Sequence, residues 1–111
     1  MEAAIYNFRL WVECTQPTVL RERLGELLEA SGFTILQKID HHFSPQGYTS
    51  LWLLAESHLA LHTFPEAGKS YLELSSCNEE MLENFRNKIE EDPVLNELGD
   101  LAGDCKPKTV N

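Results

Sequence analysis

Between Leu54 and Glu66 the chain reads Leu-Ala-Glu-Ser-His-Leu-Ala-Leu-His-Thr-Phe-Pro-Glu, and Cys77 follows a short segment later. A hydroxyl (Ser57), two imidazoles (His58, His62), two carboxylates (Glu56, Glu66) and a thiol (Cys77) thus fall within little over twenty residues. These are the residue types of nucleophilic and acid–base chemistry. Each also has an ordinary role open to it. A histidine in an apolar strand is commonly a satisfied structural residue, and a cysteine at a strand end commonly packs as a small hydrophobe. The combination and its spacing carry the signal.

The elements around these residues are legible from periodicity. Tyr6, Phe8, Leu10 and Val12 alternate with Asn7, Arg9 and Trp11, the period of a strand with one face buried. Thr15 offers an N-cap and Pro17 suits the first turn of a helix whose apolar face is Val19, Leu20, Leu24, Leu27 and Leu28. Gly32 ends it. Residues 33–39 read as a second strand, and His41 to Gly47 as a turn-rich connection. Residues 48–55, 58–64 and 70–76 are three more strands, the last two joined by the turn residues Pro65-Glu66-Ala67-Gly68. The break at Glu56-Ser57 interrupts a β-type run and contains neither Gly nor Pro. Asn78 caps a second helix with Met81, Leu82, Phe85 and Ile89 on one face, and Pro93 stops it. A third short helix or loop and a polar tail follow. The order β-α-β-β-β-β-α predicts an α+β fold, a two-layer sandwich with helices on one face of a mainly antiparallel sheet. Parallel folds fit worse, because the middle strands leave no room for crossovers.

At 111 residues and 42% hydrophobic content the chain is expected to be one soluble domain, 1–111, short enough to make dimerisation a reasonable expectation. There is no apolar run of transmembrane length and no basic leader before the first strand, so the expected compartment is the cytoplasm, with no membrane partner. The net charge of −9 argues against a nucleic-acid partner and is compatible with a cationic substrate. Cys14, Cys77 and Cys105 show no paired spacing, and reduced thiols are expected. His41 and His42 lack a third ligand at a suitable spacing, so no metal site is expected.

The triplet Glu56-Ser57-His58, the run His62-Thr63-Phe64-Pro65-Glu66 and Cys77, at these spacings and with Phe43, Pro45 and Gly47 upstream, resemble the self-processing site of the prokaryotic pyruvoyl-dependent S-adenosylmethionine decarboxylases. The resemblance covers roughly residues 5–90. It implies a proenzyme that cuts itself between Glu56 and Ser57 into an upstream β chain, 1–56, and a downstream α chain, 57–111. In that route Ser57 attacks the preceding carbonyl, β-elimination releases the upstream chain, and a pyruvoyl group remains as the covalent cofactor. The cofactor forms a Schiff base with the substrate amine and takes up the electrons left by departing CO2. By resemblance His62 is the processing base, Thr49 the processing hydroxyl and Cys77 the proton donor. Glu66 would hold ribose hydroxyls, and Phe43 and Phe64 would stack on adenine. The implied substrate is S-adenosylmethionine, its product an aminopropyl donor for spermidine synthesis, and the implied assembly a homodimer.

The chain departs from the family in places. Glu73-Leu74-Ser75-Ser76-Cys77-Asn78 stands where members commonly have Asp-x-x-Thr/Ser-Cys-Gly, and the Arg-Gly ending of many relatives is missing. The hydroxyl at position 49 is a threonine. Two further readings stay open: the same chemistry on arginine or ornithine, and a non-processing, non-catalytic paralogue that binds a nucleoside.

Overall fold

The computed structural model describes residues 3–95. Strand β1 (Tyr6–Val12) leads into helix α1 (Pro17–Ala30), four strands follow, β2 (Ile35–His42), β3 (Tyr48–Leu54), β4 (Ser57–Phe64) and β5 (Lys69–Ser76), and helix α2 (Glu79–Glu90) closes the order. This is the expected β-α-β-β-β-β-α. The strands form one antiparallel sheet in the order β1-β5-β4-β3-β2. Consecutive strands from β2 to β5 are hairpin neighbours, while β1 reaches the far edge beside β5.

Period-two alternation decides which side chains meet the helices. Phe8, Val12, Trp52, Leu54, Leu59, Leu61, Leu72 and Leu74 point to one face and are buried there against Leu20, Leu24 and Leu28 of α1 and Leu82, Phe85 and Ile89 of α2. Phe85 meets Phe8 edge-on, ring centroids 6.3 Å apart. Burying one such aromatic contributes roughly 1.5–3 kcal/mol, enough to seat α2 on β1 and β5. Among the described residues the opposite face carries no helix. There Trp11 is 50% exposed, Ile39 64% and Leu53 50%, with Leu51 and Phe64 also open to solvent.

Local chemistry explains the helix ends, with one correction. The N-cap of α1 is Gln16 and not Thr15, its side chain makes no capping bond, and Pro17 occupies the first turn. At the other end Gly32 adopts φ +106°. Its N–H reaches Glu29 O at 3.1 Å, and Phe33 N–H reaches Leu28 O at 3.0 Å. That double closure needs a left-handed residue after the cap, which only glycine supplies cheaply. Asn78 caps α2 as read, its side-chain oxygen accepting from Met81 N–H at 2.9 Å.

Two other readings change. Strand β2 runs to His42, so His41 and His42 belong to a strand and not to the connection. Their rings pack on Phe43 and Tyr48, each at 4.6 Å. Cys14 is disulfide-bonded, so among the described residues only Cys77 is the free thiol expected. The reading of a helix or loop and tail after Pro93 falls largely outside the described residues. No helix among those described is long and apolar enough to cross a membrane.

Candidate active site

The break at Glu56-Ser57 is a tight hairpin turn. Leu54 pairs with Ser57, leaving Ala55 and Glu56 as the only turn residues between β3 and β4. Ala55 N–H donates to Thr34 O at 3.0 Å, which ties the turn to the start of β2. Glu56 has φ +64° and is the only non-glycine residue with a positive φ among those described. A side chain at left-handed φ costs roughly 1–2 kcal/mol. That cost sits on the residue whose carbonyl precedes Ser57, where a peptide poised for rearrangement would hold it.

Ser57 begins β4 on the core face and is 8% exposed. Its Oγ donates to Ser76 Oγ at 2.8 Å. Cys77, one residue beyond β5, lays its thiol on Glu56, with Sγ 3.5 Å from the backbone carbonyl oxygen and 3.3 Å from Oε1. The Glu56 carboxylate, which accepts a hydrogen bond from the thiol, is the main cause of a Cys77 pKa raised above the usual thiol range, with desolvation adding to it. A raised pKa keeps the thiol protonated through neutral pH and delays its loss to more alkaline pH. In a Ser57→Ala background, Glu56→Gln is therefore expected to speed alkylation of Cys77 by iodoacetamide at pH 8. An unchanged rate would show that the carboxylate does not retain that proton. Glu56, Ser57 and His58 also line an open pocket of about 310 Å³ together with Ile5, Leu53 and Ser75.

Thr49 and His62 stand elsewhere. They face each other across β3 and β4, with Thr49 Oγ1 3.0 Å from His62 Nδ1. His62 lies five residues along β4 from Ser57, about 17 Å at 3.3–3.4 Å per residue. Five is an odd step, so the two side chains also lie on opposite faces, Ser57 toward the helices and His62 on the open face. Within one chain neither His62 nor Thr49 stands beside Ser57, although His62 shares β4 with it and Thr49 lies on the neighbouring β3.

The expected substrate-holding residues gather at the His62 end. Phe43 follows β2 and is half exposed, Phe64 ends β4, and Glu66 sits in the 3-10 turn Pro65–Ala67 that joins β4 to β5. Gln46 Nε2 donates to Glu66 Oε1 at 3.2 Å. Trp11 lies beside Phe64, centroids 5.9 Å apart, and Lys69 stands over its ring at 4.6 Å. The pairing register lines Trp11, Tyr71, His62, Thr49 and His41 into one row across the open face. The structure thus assembles two clusters at opposite ends of the sheet: Glu56, Ser57 and Cys77 at one, and Thr49, His62, Phe43, Phe64 and Glu66 at the other.

The sequence reading missed Ser76 and Trp11. Ser76 is brought to Ser57 only by the β4–β5 register, although it directly precedes Cys77. Trp11 was visible as the polar-face member of the β1 alternation, and an aromatic in that position was the available signal.

A five-stranded antiparallel sheet covered on one face by two helices, with a left-handed Glu56 before Ser57 and a thiol on the turn's carbonyl, defines a small α+β domain. The family model described as S-adenosylmethionine decarboxylase matches residues 13–92, so the chain belongs to the S-adenosylmethionine decarboxylase family. Relatives named S-adenosylmethionine decarboxylase proenzyme include one from Prochlorococcus marinus (strain MIT 9313), 41% identical over 63 residues, covering 57% of this chain and 50% of that protein. One from Brevibacillus brevis is 47% identical over 60 residues, covering 54% of this chain and 45% of that protein. One from Methanococcus vannielii is 36% identical over 84 residues, covering 71% of this chain and 68% of that protein. The matches thus span about half the length of the first two relatives. The fold is also that of the adenosylmethionine decarboxylase of Aquifex aeolicus, with a TM-score of 0.65 at 20% identity, covering 80% of this chain and 79% of that one.

Proposed function

We propose that this protein is a pyruvoyl-dependent S-adenosylmethionine decarboxylase that generates its cofactor by cutting itself at Glu56–Ser57. The observation that carries the reading is the left-handed Glu56 next to buried Ser57, with the Cys77 thiol on the Glu56 carbonyl. Attack of Ser57 Oγ on that carbonyl carbon relieves the backbone strain as the peptide becomes an ester. Charge gathering on the carbonyl oxygen meets the Cys77 S–H, a weak but positioned donor. Elimination then removes the Ser57 Cα proton, which requires a base. When present, the pyruvoyl carbonyl supplies the electron sink for decarboxylation. Cys77, kept protonated by Glu56, is placed to return a proton to the substrate carbon.

The base and the substrate-holding groups are supplied by a second copy. Every role assigned to His62, Thr49, Phe43, Phe64 and Glu66 calls for proximity to Ser57, and the single chain keeps them about 17 Å away along β4. The open face, with Trp11, Ile39, Leu51, Leu53 and Phe64 exposed, is an apolar surface of the kind that a two-fold partner covers. Face-to-face packing with the strands reversed sets the Ser57 end of one copy against the His62 end of the other. Thr49 occupies His62 Nδ1 and leaves Nε2 to reach across. Phe43 and Phe64 then offer stacking faces for adenine, and Glu66 a carboxylate for the ribose diol.

Intact-mass spectrometry tests this reading. Freshly purified protein is expected to give fragments 1–56 and 57–111, the second gaining the mass of S-adenosylmethionine, or of its decarboxylated product, less one water and plus two hydrogens when reduced with cyanoborohydride in its presence. Trapping of arginine or ornithine instead would reassign the substrate. A single uncut mass that captures no amine would favour a non-processing nucleoside-binding protein.

A further inference from the structure

Ser76 takes no part in the scheme above, yet among the described residues it is the hydrogen-bond partner of the Ser57 hydroxyl. Ser57 and Ser76 are directly paired across β4 and β5, and both are buried. Ser57 Oγ donates to Ser76 Oγ at 2.8 Å. The same Ser76 oxygen accepts from Asn78 N–H at 2.9 Å, and its own proton is directed at Asn78 O, 3.3 Å away. Two accepted bonds and one donated bond use the whole capacity of a hydroxyl, so its orientation is set. Asn78 is in turn fixed as the N-cap of α2 through Met81 N–H. The chain of contacts therefore runs from a seated helix to the oxygen that attacks.

We propose that Ser76 is a positioning residue for self-cleavage: it holds the Ser57 O–H in one rotamer, leaving the oxygen's lone pairs toward the Glu56 carbonyl carbon. A free serine hydroxyl samples three staggered χ1 wells and any O–H direction. Attack needs one of them, and a group held in that geometry reacts faster for entropic reasons. The step is balanced within the chain. The Oγ–C bond to Glu56 forms, the Glu56–Ser57 C–N bond breaks, and the Oγ proton ends on the freed Ser57 nitrogen.

This inference rests on the reading that Glu56–Ser57 is cut, and the experiment separates the two. Wild type, Ser76→Ala, Ser76→Thr and Ser76→Cys are made by cell-free translation, and appearance of fragment 1–56 is followed by mass. Ser76→Ala is expected to slow first-order cleavage at least about tenfold, as loss of a fixed attack geometry does. Ser76→Thr, which keeps the hydroxyl, is expected to stay within about twofold, while Ser76→Cys, a weak acceptor of similar shape, is slow. Hydroxylamine, which cleaves an ester but not a peptide, is expected to release little fragment 1–56 from Ser76→Ala, placing the defect before ester formation. Should Ser76→Ala fail to fold by circular dichroism, the Thr and Cys pair decides. Cleavage of Ser76→Ala or Ser76→Cys at the wild-type rate overturns the role of Ser76. A wild-type chain that never cuts overturns the self-cleavage reading itself.

Discussion

Ser57→Ala is expected to yield a single uncut chain of 111 residues that captures no amine under reducing conditions and to lose the proposed decarboxylase activity by more than about a thousandfold. The size follows from Ser57 having two successive uses in the proposed route: its Oγ would attack and leave with fragment 1–56, and its Cα would become the reactive carbonyl. Neither use has a substitute nearby, because Ser76 Oγ lies on the neighbouring strand and follows a different peptide. The fold does not depend on it to the same degree. Alanine removes one buried hydroxyl and its bond to Ser76, a change of about 1 kcal/mol, while Leu54, Leu59 and Leu61 still hold the hairpin on the helices. Melting temperature is therefore expected to fall by a few degrees at most while cleavage disappears, measured by mass and by CO2 release on one preparation. Normal cleavage in the alanine variant would place the cut elsewhere.

The second large effect is complementation. His62→Ala alone and Ser57→Ala alone are both expected to remain uncut, while co-expression is expected to restore cutting of the His62→Ala chain. In a mixed pair the His62→Ala chain contributes an intact Ser57 end, and the Ser57→Ala chain contributes the intact Thr49–His62 end. With equal amounts and random two-fold pairing, about half of the His62→Ala chains meet such a partner, so about half are cut. Tagging one variant makes the two masses distinguishable. If His62 acted on Ser57 of its own chain, mixing would rescue nothing. The structure leads to the first result because 17 Å of strand, about five residues, and a change of face separate the two side chains, distances that no rotamer closes. A charged residue on the open face away from the Ser57 pocket, such as Leu51→Asp, provides an internal control. It disfavours face-to-face pairing and is expected to reduce cutting in otherwise wild-type chains.

Element order, the helix caps at Gly32 and Asn78, and a break in the β run at Glu56-Ser57 were all determined by the sequence alone, because each depends on residues a few positions apart. Alternation in β1 marked its buried face, and the run from Glu56 to Cys77 carried the chemical types and the resemblance to the family. The strand ends were less legible: β2 extends through His41 and His42 because pairing with Thr49 and Tyr48 continues past the point where apolar residues stop. Tertiary structure decided which of the candidate residues share a place. Cys77 meets the Glu56 carbonyl, and Ser76 meets Ser57, only because β4 and β5 pair in one register. Thr49 and His62 meet each other and not Ser57 for the same reason. Spacing along a chain fixes which face and which end of a strand a side chain occupies. It does not say which strand lies alongside, and that relation is set by the burial of Leu59, Leu61, Leu72 and Leu74 under the helices.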